Sequence, residues 1–121
     1  MTEYACKVIE WLDGDTADVE ILFDVLGSRV TLLQRVRVDG INAPEIHSAD
    51  ASEKARGMEA KRYAELLAPV GSTIGVRSAN DARPREKYGR WLARVTLADG
   101  KDFAAAMIAA GHAVEYHGER R

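Results

Sequence analysis

The sequence predicts an α+β domain that is mainly β. Three patterns support that class. Val19, Ile21, Phe23 and Val25 alternate with Asp18, Glu20 and Asp24, the period of two that marks a half-buried strand. The period then changes: Ala60, Tyr63, Ala64 and Leu67 recur at i, i+3, i+4 and i+7 and so share one helix face. Alternation returns at Trp91, Val95 and Leu97. At 121 residues the chain suits one domain over 1–121, and a domain of that size buries roughly two thirds of its unfolded surface.

The first predicted strand covers residues 4–12 and stops at Asp13-Gly14-Asp15. The second carries the alternation at 18–25, and Gly27-Ser28 reads as its hairpin turn. The return strand places Val30, Leu32, Val36 and Val38 on one face and Thr31, Leu33, Arg35 and Arg37 on the other. Next, Asp50 as N-cap with Glu53 three residues on resembles a capping box. Pro69 and Gly71 end the helix that follows. Ile74 and Val76 mark a fourth strand, residues 80–89 a polar loop around Pro84, and Trp91 to Leu97 a fifth strand turned by Asp99-Gly100. Asp102 caps a short helix through Phe103, Met107 and Ala110, with Gly111 at its C′ position. The order β-β-β-α-β-β-α is that of a five-stranded Greek-key barrel, the OB-fold, with two helices.

Composition narrows the function. Hydrophobic residues at 46% and charged residues at 30% argue against disorder. Seventeen basic residues against 19 acidic ones leave a formal charge of −2, which excludes a binder that grips nucleic acid by bulk charge. Any polyanion site must be local, and cations do cluster at Arg35 and Arg37, then at Arg83, Arg85, Lys87, Arg90 and Arg94. No apolar run approaches the roughly 18–20 residues of a membrane span, and the N-terminus shows no signal-peptide pattern. The lone Cys6 allows neither an internal disulfide nor a cysteine-rich zinc site. A cytoplasmic protein, monomeric and without membrane contact, is the expectation.

Three segments could carry chemistry. Asp13-Gly14-Asp15-Thr16 offers two carboxylates at a turn, either a hard-cation site or simply good turn formers. It is not an EF-hand loop, because the sixth residue is Asp18 rather than glycine. Arg37 to Glu45 delivers a planar guanidinium, then the Asn42 amide, the Ala43 carbonyl and the Glu45 carboxylate. A proline turn with an incidental ion pair would use the same residues. Lys87-Tyr88-Gly89-Arg90 adds an aromatic ring and a second guanidinium where the fifth strand opens.

Taken together and in this order, Asp-Gly-Asp-Thr, Arg-x4-Asn-Ala-Pro-Glu and Lys-Tyr-Gly-Arg resemble the staphylococcal nuclease (thermonuclease) family over roughly residues 7–114. The resemblance implies an OB-fold endonuclease that hydrolyses DNA and/or RNA with Ca2+, or another divalent cation, leaving 3′-phosphate and 5′-hydroxyl ends. It implies Arg37, Glu45 and Arg90 as catalytic residues. It implies Asp15, Asn42 and the Ala43 carbonyl as metal ligands, with Asp13 ordering the metal's water. Tyr88, with Lys87 and Arg85 beside it, is expected to contact the nucleic acid. Asn42 stands where the family usually has aspartate, so calcium binding is expected to weaken. The alternative is a weak or inactive nucleic-acid-binding module of the same fold.

Overall fold

The computed structural model describes residues 2–118. The elements run β1 (Tyr4–Asp13), β2 (Thr16–Val25), β3 (Ser28–Val38), β4 (Ile41–Asn42), α1 (Ala51–Leu67), β5 (Thr73–Ser78), β6 (Trp91–Thr96), α2 (Phe103–Ala109) and β7 (Val114–Glu115). The three-stranded meander forms as expected, and the barrel closes in the order β1-β2-β3-β6-β5, with β5 returning to β1. Among the described residues only the β3–β6 pairing is parallel, and it spans Val36–Val38 against Trp91–Ala93. This is the OB-type barrel with two helices that the element order predicts.

The inward positions are the small β-branched residues Val8, Val19, Val36, Val38, Val76 and Val95, all fully buried. Cys6 lies among the core residues, where burial pushes its thiol up to about 12 and leaves it unreactive. At one end Trp11 stacks on Phe103 with ring centroids 4.8 Å apart, and the Trp11 indole N–H donates to the Ala68 carbonyl at 2.9 Å. That contact ties β1 to both helices. The α1 face meeting the barrel is built of Gly57, Ala60 and Ala64, so the helix approaches closely. No helix among the described residues is long and apolar enough to cross a membrane.

Two expectations need correction. The hairpin turn is Leu26-Gly27 rather than Gly27-Ser28, since Val25 pairs with Ser28. Both turn residues have positive φ, 52° and 80°, the form that matches the twist of a two-residue hairpin. The outer half of this hairpin is also not half-buried: Val25, Val30 and Leu32 are all exposed although they lie on the inward-facing side. β1 pairs with β2 only as far as Ile21 and β6 meets β3 only at 36–38, so the ribbon runs past the barrel, where Phe23 still packs on Tyr4 while Val25, Val30 and Leu32 lie uncovered among the described residues. The β4–β7 ladder is an addition that no sequence period announces. It pairs Ile41 with Glu115 and Asn42 with Val114, and the Tyr116 N–H donates to the Gly40 carbonyl at 2.9 Å.

Candidate active site

The site is assembled where close backbone approach is allowed. A Cβ on Gly14 would lie 2.9 Å from the Ala60 Cβ and 3.1 Å from the Ala43 Cβ, so only glycine lets the 13–15 turn press against α1 and residue 43. A Cβ on Gly57 would lie 2.8 Å from the Glu45 carbonyl carbon, so α1 also packs directly on the Glu45 backbone. The helix cap extends that hold. The Asp50 carboxylate accepts the Glu53 N–H at 3.2 Å, and the Glu53 carboxylate accepts the Ser48 hydroxyl at 2.9 Å and the Glu45 N–H at 3.4 Å.

Asp15 is one of the few buried polar residues. Its Oδ2 accepts the Ala43 N–H at 2.8 Å, and its Oδ1 accepts the Thr16 hydroxyl at 3.0 Å. The Arg37 Nη1 stands 3.6 Å from Asp15 Oδ2. Arg37 also donates to the Val38 carbonyl at 2.8 Å and to Asn42 Oδ1 at 3.1 Å, and its guanidinium lies 5.9 Å from the centroid of the Tyr116 ring. Asp13 Oδ1 accepts the Ile46 N–H at 3.3 Å. Burial raises the Asp13 carboxyl above its ordinary range; that N–H opposes the rise and the nearby Asp15 charge adds to it.

Arg90 is held by a residue the motif does not include. Glu86 takes its Nε at 3.1 Å and its Nη2 at 3.0 Å, a two-point fork. The same carboxylate accepts the backbone N–H of Tyr88 at 2.9 Å and of Arg90 at 3.0 Å. The Arg90 side chain holds the Glu86 carboxyl below its usual range, and Glu86 in turn raises the guanidinium. An acidic residue four before Arg90 was the available signal. Tyr88 is 73% exposed, with Lys87 Nζ at 5.1 Å and Arg90 Cζ at 5.6 Å from its ring centroid. Arg85 donates to the Gly89 carbonyl at 3.0 Å and so braces the loop.

One cleft of about 820 Å³ brings together Asp13, Asp15, Arg37, Asn42, Ala43 and Glu45. Lys87, Tyr88 and Arg90 line it from the 79–90 loop, and Tyr116 and His117, which the sequence pattern does not single out, close the far side. Arg85 is the one expected site residue outside its lining. Asp15, Asn42 and the Ala43 carbonyl offer only oxygens, the ligand type a hard divalent cation takes. Yet Asn42 is neutral, and Arg37 already bonds its Oδ1 while standing beside Asp15. Among the described residues, no three acidic, histidine or cysteine side chains form a group that could hold a metal ion. The donor set fits a hard cation in ligand type and is poor in negative charge.

OB barrels bind oligonucleotides or oligosaccharides on the face of their second and third strands, between the first and last inter-strand loops. The cleft occupies that position here, with the 13–15 turn on one side and the 79–90 loop on the other. The class this defines is an OB-type barrel with guanidinium and carboxylate groups gathered on one cleft. The chain belongs to the staphylococcal nuclease homologue family, whose sequence model matches residues 35–121. That span includes Arg37, Asn42, Ala43, Glu45 and Arg90, while Asp13 and Asp15 precede it. An uncharacterized lipoprotein of Mycoplasma pneumoniae is 32% identical over 90 residues, covering 69% of this chain and 30% of the relative. An uncharacterized protein of Methanocaldococcus jannaschii is 28% identical over 110 residues, covering 78% of this chain and 49% of the relative. The chain thus spans under half the length of either of these curated relatives.

Proposed function

We propose that the chain is an endonuclease that hydrolyses phosphodiester bonds in DNA and/or RNA with calcium or another divalent cation, leaving 3′-phosphate and 5′-hydroxyl ends. The observation that supports this reading is the convergence of two guanidinium groups, Arg37 and Arg90, with Glu45, Asp13 and Asp15 on one cleft. Asp15, Asn42 and the Ala43 carbonyl would hold the ion, and Asp13 would order its water. Such an ion, when bound, supplies Lewis-acid charge at the phosphate. Glu45 positions the attacking water and takes its proton. Arg37 and Arg90 donate to the non-bridging oxygens as negative charge grows there. Arg90 enters that role already fixed by Glu86, so little side-chain freedom is lost when substrate arrives. The water oxygen bonds to phosphorus, the bond to the 5′ oxygen breaks, and that oxygen leaves as a hydroxyl after taking a proton from solvent water, while the proton on Glu45 returns to solvent.

The test is cleavage of a plasmid and of a single-stranded oligonucleotide with calcium, magnesium, manganese or chelator in parallel, followed by analysis of the product ends. Divalent-dependent cleavage leaving 3′-phosphates is expected. Full cleavage by metal-stripped protein in excess chelator would sink the metal mechanism. The second reading is a nucleic-acid-binding module without turnover. It is favoured by one observation, the neutral Asn42 whose oxygen is already taken by Arg37. Binding of DNA or RNA with no cleavage under any of those ions would establish it.

A further inference from the structure

A second cavity, of about 730 Å³, adjoins the cleft and shares Glu45, Tyr88 and Arg90 with it. Its own walls are Leu33, Arg35, Asp18 and Gly89. The β2–β3 register explains the grouping: Asp18 lies opposite Arg35, Glu20 opposite Leu33 and Thr16 opposite Arg37. Leu33, Arg35 and Arg37 therefore succeed each other on the outer face of β3, each step about 6.8 Å. The innermost of the three is the proposed catalytic arginine, and the other two lead away from it into the second cavity.

The chemistry of this cavity is unusual for a solvated sheet face. Leu33 is 63% exposed where its neighbours are charged, and it shares the cavity with the exposed Tyr88 ring. Arg35 is held in a two-point fork by Asp18, Nε to Oδ1 at 2.8 Å and Nη2 to Oδ2 at 3.2 Å. The guanidinium keeps N–H groups outside that fork, because it carries five. An apolar side chain and an aromatic ring beside a fixed cation suit an unpaired base with its phosphate.

The geometry points to Leu33, Arg35 and Tyr88 as a second nucleotide subsite, so that the strand runs through both cavities and its reacting phosphate lies at the Glu45–Arg90 junction. This rests on the nucleic-acid reading above and extends it: the site takes an internal stretch of an unpaired strand, with a base seated against Leu33 and a phosphate on Arg35. Asp18 attenuates the Arg35 charge while aiming it.

The experiment is a fluorescence-anisotropy titration of a labelled single-stranded deoxyoligonucleotide of about twelve nucleotides, within the span OB folds cover, in chelator so that no cleavage intervenes. Leu33→Glu should weaken binding about tenfold or more, because it replaces an apolar wall by a charge that repels phosphate. Arg35→Ala should weaken it about threefold to tenfold and lower the log–log salt slope by about 0.7, the loss of one phosphate contact on a single strand. Asp18→Asn should act in the opposite direction and tighten binding about twofold to fivefold, because Arg35 regains its full charge. Generic damage to the sheet would not strengthen binding, so this variant separates a subsite from a structural effect. Unchanged affinity in folded Leu33→Glu and Arg35→Ala proteins, with the wild type binding normally, overturns the subsite alone. Wild-type protein that neither binds nor cleaves any nucleic acid overturns the proposed function and the subsite with it.

Discussion

Replacing Asn42 by aspartate adds one negative charge at the weakest point of the proposed metal site. From sequence alone the new carboxylate is expected to repel Asp15 and Asp13 and so destabilise the metal-free protein. The structure changes that balance, because the Arg37 guanidinium donates to Asn42 Oδ1 at 3.1 Å and stands 3.6 Å from Asp15. The substitution turns a hydrogen bond from the charged Arg37 guanidinium to a neutral amide oxygen into an ion pair with a carboxylate, a gain of about 1 kcal/mol. Repulsion between the two carboxylates opposes it by a similar amount, because both face one guanidinium at comparable range. Stability of the metal-free variant should therefore stay within about 1 kcal/mol of wild type. Calcium is different, since it gains a full ligand charge. Affinity follows ligand charge count, and a gain of about 10–100-fold is expected, equivalent to about 1.4–2.7 kcal/mol. That gain reappears as extra calcium-dependent stabilisation at saturating ion. Calorimetric calcium titration and thermal melts with and without calcium measure both quantities. Equal calcium affinity in Asn42→Asp and wild type would show that residue 42 is not a metal ligand.

Arg37→Ala and Arg90→Ala should each reduce turnover by about 10²–10³, and lysine should rescue neither, because a point charge cannot reproduce the planar fork; steady-state kinetics on an oligonucleotide decides this. Arg37→Ala should in addition lower stability by about 1–3 kcal/mol in denaturant melts, since it leaves the nearly buried Asp15 carboxylate without its 3.6 Å partner. Arg90 holds the Glu86 carboxyl below its ordinary 4.5, so their pairing stabilises the protein above that pH and is lost as pH falls through the lower folded value. Glu86→Gln should accordingly lose less stability than wild type as pH falls below 4.5, and identical acid-melting curves would refute the pairing. Leu26 has φ 52° and is fully exposed, so Leu26→Asn should raise stability by about 0.5–1 kcal/mol in a thermal melt; an unchanged or lower Tm would show that the turn is not strained.

Elements with a repeating pattern are legible in the sequence alone. The meander, the Asp50 N-cap and the short helix closed by Gly111 form as their local chemistry requires, while the Glu53 carboxylate accepts from Ser48 and Glu45 and the Asp50 N–H of the expected capping box goes to the Ser48 hydroxyl. Strand alternation reports which face a side chain occupies, and the faces assigned to Val36 and Val38 against Arg35 and Arg37 are the ones observed. It does not report whether a neighbour covers that face, and so Val30 and Leu32 carry a core pattern yet lie on an uncovered ribbon. The two-residue β4 and β7 are too short to show a period, and their pairing is what brings the chain around Tyr116 to the cleft.

The site divides along the same line. The family resemblance implied Asp13, Asp15, Arg37, Asn42, Glu45 and Arg90 as one set, and the fold brings all six to the lining of one cleft. Partner choice within that set belongs to the fold. Whether the Arg37 guanidinium meets Asp15, Asn42 or solvent depends on barrel closure, and residue 37 bonds residue 42 across a turn while it approaches residue 15 from the neighbouring strand. Glu86 acquired its role only when the 79–90 loop folded its carboxylate onto Arg90 and two backbone N–H groups at once. Local sequence thus determined the elements and the inventory of reactive groups, since propensity and spacing act over a few residues. Tertiary structure decided contact, burial and charge balance, since these depend on atoms that meet only after distant strands have paired.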